Sequence, residues 1–109
     1  MFVAKLNEFG VLQWNTFLGS SGRHDTTRSD RIAVNDSGDI FVTGNSRGSW
    51  GTPIRPYSEP DTVNSPDVFV AKINTNGALQ WNTFLGGTNG SRSFDTDDGI
   101  SLDGSGNVY

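Results

Sequence analysis

Residues 2–19, FVAKLNEFGVLQWNTFLG, return at 69–86 as FVAKINTNGALQWNTFLG, identical at 14 of 18 positions at an offset of 67. Residues 12–19 match 79–86 without exception. A second match sets 31–41 against 99–109 at an offset of 68, one residue having been inserted between the two matches. A chain that repeats itself at this length builds one supersecondary unit and stacks copies of it. The 109 residues hold fewer than two full units, 109/67 being about 1.6.

Composition narrows what that unit is made of. Only 33% of residues are hydrophobic and 14 are glycine, which favours short strands joined by polar turns over helices. Seven Phe and three Trp nevertheless supply enough apolar area for a packed interior. The net charge of −4 comes with no Lys/Arg cluster, which argues against nucleic acid, whose phosphates need a basic stripe. Arg23, Arg28 and Arg31 fall close together, but Asp25 and Asp30 are interleaved with them. No apolar run approaches a membrane span, and no signal peptide follows Met1. The absence of cysteine excludes disulfides, thiolate chemistry and Cys-based zinc sites.

Four strands fit each unit. The one complete copy reads as strands over 31–35, 40–43, 68–74 and 78–85. Asp36-Ser37-Gly38 and Thr75-Asn76-Gly77 form tight turns, since Asn, Asp and Gly tolerate the backbone geometry of a hairpin. The strands are continuously apolar or bulky rather than cleanly alternating, which predicts burial on both faces, as when sheets stack between neighbours. A four-stranded antiparallel sheet repeated in tandem and covered on each face by the next is a propeller blade. The predicted fold is therefore all-β, a set of β-propeller blades.

The pieces IAVNDSGDIFVTG at 32–44 and DVFVAKIN at 67–74, followed by Gly77 and 79–87, resemble the bacterial SBBP ("seven-bladed beta-propeller") repeat. The resemblance covers nearly all of the chain outside 45–66. It implies strands running A to D from a central channel outward. Residues 1–18 then supply the outer strands C and D of one blade, 31–85 one complete blade, and 99–109 strand A and the start of B of a third. Both ends fall inside blades, so the expectation is a fragment of a larger propeller. The resemblance also implies a bacterial, extracellular or cell-surface protein.

Strand alternation gathers the long connections, 20–30, 45–66 and 87–97, on one rim, where a rigid scaffold carries variable binding loops. Trp50, Arg55 and Tyr57, together with His24 on the neighbouring loop, are the candidate ligand-binding residues there. Trp50 and Tyr57 could stack on a sugar or a peptide, with Arg47 and Arg55 as polar partners. The competing reading has Trp50, Ile54 and Tyr57 folding back to anchor a long loop that Pro53 and Pro56 stiffen, and burial is the commoner fate of an isolated aromatic. Trp14 and Trp81, at equivalent positions, read as packing between units.

The oxygen-rich pieces 35–39 and 103–107 look superficially like calcium loops but lack the further carboxylates and closing Glu, and a hairpin turn explains them. The acidic run 95–98 has no counterpart spacing in the other copy. The expectation is no metal and no cofactor. His24, the sole histidine, has no nucleophile elbow or ligand spacing to work with, so no catalytic residue is expected. The function these residues favour is a non-enzymatic structural or interaction module, its partners being neighbouring blades or identical chains. The alternative is a carbohydrate-binding, lectin-like propeller assembled from short subunits that share blades between copies, taking a glycan or peptide. A further expectation is that the 2–18 hairpin stacks on the 31–85 sheet, burying Phe17 and Trp14 or their copies Phe84 and Trp81.

Overall fold

The computed structural model describes residues 1–20, 27–58, 66–87 and 99–109. Six antiparallel strands form: β1 (Phe2–Leu6), β2 (Leu12–Phe17), β3 (Arg28–Val34), β4 (Ile40–Ser46), β5 (Asp67–Ile73) and β6 (Leu79–Leu85). β1 and β2 make a two-stranded hairpin, and β3-β4-β5-β6 a four-stranded meander in which every strand pairs with its sequence neighbour. Residues 99–109 fold as a further small hairpin. There Ser101 and Tyr109 exchange two backbone hydrogen bonds of 2.9 Å, next to a bridge between Leu102 and Val108. No helix occurs among the described residues. The chain is all-β.

One turn chemistry closes all four hairpins. Asn7, Asn35, Asn74 and Asp103 each open a turn and accept backbone N–H groups on a side-chain oxygen. The Asn7 oxygen takes those of Phe9 (3.0 Å) and Val11 (2.9 Å), and Asn74 repeats the pattern with Asn76 and Ala78. Three residues further on stands a glycine with φ between +78° and +87°: Gly10, Gly38, Gly77 or Gly106. That left-handed conformation closes a type I turn into the strand and is unfavourable for most side chains.

Two strands run longer than their apolar pattern. β3 begins at Arg28 rather than Arg31, and β4 continues to Ser46 rather than Thr43. Residues 28, 29, 45 and 46 are polar, and their backbone pairing makes them strand: Arg28 with Asn45, Ser29 with Gly44, Ser46 with Asp67.

The register of the meander gathers Ile40, Val42, Phe69, Ala71, Ile73 and Phe84 on its front face. Phe69, Ala71, Ile73 and Phe84 are wholly buried. The β1–β2 hairpin lies over this face. Val3 and Leu18 join the core, the Trp14 indole N–H donates to the Thr75 carbonyl at 2.9 Å, and the Thr16 hydroxyl donates to the Gly77 carbonyl. Of the aromatics expected between hairpin and meander, Phe84 is buried, whereas Phe17 points away and is 78% exposed, tilted against Phe2. Phe17 cannot face the meander because the neighbouring Thr16 and Trp14 do so through these hydrogen bonds, and alternation sends Phe17 outward.

The back face of the meander carries Phe41 edge-on to Trp81 (6.2 Å), with the Lys72 ammonium 2.8 Å from Asp39 and over the Phe41 ring. Ile100 and Val108 of the last hairpin share a trough with Val68, Val70 and Trp81 on this side. Burial differs from strand to strand: β4 is buried on both faces from Ile40 to Gly44, whereas β5 alternates strictly between buried and half-buried residues. Ile32 and Val34 on β3 remain 59% and 60% exposed.

Candidate functional site

The long connection after β4 holds three of the four residues marked as a binding rim, and it runs along the outer edge of β6. The Ile54 amide donates to the Asn82 carbonyl (2.9 Å) and the Phe84 amide to the Arg55 carbonyl (3.0 Å), so residues 54–55 are tied to the open edge of β6. An uncovered edge strand is a template for unwanted pairing. Here a loop occupies it. The buried Asn82 amide donates to the Trp50 carbonyl at 2.9 Å, and the Arg55 guanidinium donates to the Gly86 carbonyl at 2.9 Å. At the far end, the buried Asp67 carboxylate accepts the amide and the hydroxyl of Ser58 at 3.0 and 2.9 Å.

Trp50 is 6% exposed, its ring edge-on to Phe69 (5.1 Å) and Phe84 (5.8 Å). Tyr57 is half-buried and edge-on to the same Phe84 (5.9 Å). The structure thus brings Trp50 and Tyr57 together on one phenylalanine, as anchors of the loop. Neither face of an enclosed indole can stack on a ligand. Arg55 is exposed and tied to the end of β6. His24, Arg23 and Asp25 lie outside the described residues, as does the acidic run 95–98.

Asn82 and Asp67 matter to this region and had not been singled out from the sequence. Asn82 left a signal: it stands in register with Ala71 on the core-facing side of the sheet, and an amide there needs a partner. Asp67 left none beyond its place at a strand start.

In the turn at 103–107 the Asp103 carboxylate is bonded within the turn itself. Asp103 accepts the amides of Ser105 (2.9 Å) and Asn107 (2.8 Å) on one oxygen. The other takes the Asn107 side chain (2.6 Å) and the Tyr109 hydroxyl (3.2 Å). These donors, the Asn107 side chain foremost, hold the carboxyl below its ordinary value. Its lone pairs close the turn. Among the described residues no group of three or more His, Asp or Glu gathers as metal ligands.

Compared with known proteins, the chain matches no family model and no curated protein. No helix among the described residues is long and apolar enough to cross a membrane.

Proposed function

We propose that this chain is a non-enzymatic structural and interaction module, built of stacked units of the bacterial SBBP β-propeller kind. The reading rests on one observation: the first hairpin packs on the front of the meander, and the last hairpin shares the trough on its back, through residues that the repeat supplies to each. Stacked antiparallel sheets are how propellers and other β repeats bury their faces. In this reading β1–β2 are the outer strands of one blade, β3–β6 a whole blade and 99–109 the inner strands of the next. The partners are neighbouring blades or identical chains, in an extracellular or cell-surface setting. The polar side chains of the long connection serve the scaffold, closing its loop and covering its edge.

Among the described residues the carbohydrate-binding alternative would draw on Arg55 and the exposed part of Tyr57, with His24 outside them. A glycan-array and peptide screen of the folded chain separates the two readings. The scaffold reading expects no saturable glycan binding. Binding that Arg55→Ala or Tyr57→Ala removes, with the circular dichroism spectrum unchanged, overturns it.

A further inference from the structure

Among the described residues the chain makes one inter-unit interface and carries both halves of a second copy of it. In the used copy, Val3, Trp14, Thr16 and Leu18 of the hairpin face the front of the meander, whose core includes Phe69, Ala71, Ile73 and Phe84. The repeat places Val70, Trp81, Thr83 and Leu85 at the positions of the first set, identical in every residue. These line the back trough of the meander, a cavity of about 330 Å³ that they share with Ile100, Val108 and Tyr109 of the last hairpin. Leu85 is 46% exposed. Phe2, Ala4, Leu6 and Phe17 stand at the positions of the second set, identical except that Leu6 replaces Ile73. They form the outward face of the hairpin, with Phe2 64%, Leu6 56% and Phe17 78% exposed.

The turns carry the same duplication. At Gly77 an added Cβ would lie 2.8 Å from the Trp14 ring, because Trp14 sits on that turn. At Gly10, the equivalent residue, nothing lies within 4 Å. One turn has its tryptophan and the other has an open seat.

We propose that the outward face of the β1–β2 hairpin docks into the back trough of a second copy of this chain, head to tail. Phe2 and Phe17 of one copy then meet Leu85, Val70 and Trp81 of the next. The Trp81 indole N–H donates to the Glu8 carbonyl and the Thr83 hydroxyl to the Gly10 carbonyl, as Trp14 and Thr16 do within the chain. The hairpin also comes to lie beside the donor's residues 108–109, as β5 lies beside β4, since Val108 and Leu6 occupy the positions of the paired Ile40 and Ile73. The interface is heterologous: each copy offers one of each half, so assembly continues into a ring or a filament. Apolar burial between surfaces that already mate once supplies the driving force. The proposal rests on the stacked-scaffold reading, of which it names the partner.

Sedimentation velocity of the 109-residue chain over a concentration series tests it, with Phe17→Lys spoiling the hairpin half and Leu85→Lys the trough half. The wild type is expected to move from 11.8 kDa to dimers and larger species, and each variant alone to stay monomeric with an unchanged circular dichroism spectrum. An equimolar mixture of the two variants should give a dimer and nothing larger, because Phe17→Lys keeps its trough and Leu85→Lys keeps its hairpin face. Gly10→Asn is the check on misfolding: Asn accepts a left-handed backbone, nothing crowds it in the free chain, and it closes the open seat. It should fold and fail to associate. A wild-type chain that stays monomeric overturns the proposal, as does a mixture that does not pair. So does association by Leu85→Lys alone, the mark of two hairpins meeting face to face. These results leave the scaffold reading standing, since that reading falls only to the glycan and peptide screen.

Discussion

The hairpin β1–β2 and the strand pair β5–β6 have nearly the same sequence and opposite fates. Phe69 and Phe84 are wholly buried, while their counterparts Phe2 and Phe17 are 64% and 78% exposed. Asn82 is buried on the Trp50 carbonyl, and its counterpart Asn15 faces solvent. The strands themselves do not differ: both pairs run antiparallel, and each bulges one residue before its turn. What differs is the company. β5 has β4 on its free edge, β6 has residues 54–55 on its own, and the face between them lies under Trp50, Tyr57 and the first hairpin. In a repeat protein burial belongs to the neighbour as much as to the residue.

The sharpest way to break the comparison is to truncate matched residues. Phe84→Ala should cost about 3–5 kcal/mol by urea denaturation, the usual loss for a buried phenylalanine. Phe17→Ala, made at concentrations low enough to keep the chain monomeric, should fall within about 0.5 kcal/mol of the parent. Equal losses would mean that both faces are covered in solution.

A smaller contrast lies in the polar copies. Asn82→Ala should cost about 1–3 kcal/mol, because it leaves the enclosed Trp50 carbonyl without its donor. Asn15→Ala should be close to neutral, and the ratio of the two midpoint shifts sharpens the role given to the edge-covering loop.

Much of this fold was legible in the residues. The repeat announced stacked units, and the glycine-ended turns at 36–38 and 75–77 marked where strands reverse. The polar extensions of β3 and β4 were not legible, since Arg28, Ser29, Asn45 and Ser46 become strand only through their partners. Nor was it legible which of two identical phenylalanine pairs is buried. At the long connection the sequence left two fates open for Trp50, a stacking platform or an anchor. Its ring contacts with Phe69 and Phe84 are those of an anchor, and the pairing of residues 54–55 with β6 explains why the loop needs one. That pairing uses backbone groups, which leave no pattern in side-chain chemistry.

The smallest predicted effect compares the turns. Those opened by Asn7, Asn35 and Asn74 hold turn amides on a side-chain oxygen as the one opened by Asp103 does, but of the four only Asp103 titrates. Its carboxyl is held below the ordinary value by the Asn107 side chain and the turn amides. A depressed folded-state value stabilises the turn above the unfolded-state value of about 3.9 and loses that contribution as pH falls through the folded one. Amide chemical shifts of Ser105 and Asn107 should therefore move below about pH 4, while those of Asn76 and Ala78 hold. An acid titration in which both turns respond alike would remove the carboxylate from its role.

Amide hydrogen exchange in the monomeric Phe17→Lys variant tests most directly whether neighbours, rather than sequence, decide these fates. Met1 and Leu18 exchange hydrogen bonds across the hairpin, so alternation turns the amides of Phe2 and Ala4 to the open edge of β1. The amides of Phe69 and Ala71, in the same FVAK sequence, face β4 instead. The account predicts that Phe69 and Ala71 exchange only on global unfolding, while Phe2 and Ala4 exchange at close to the rate of an unstructured chain. Equal protection of the two FVAK segments would contradict it.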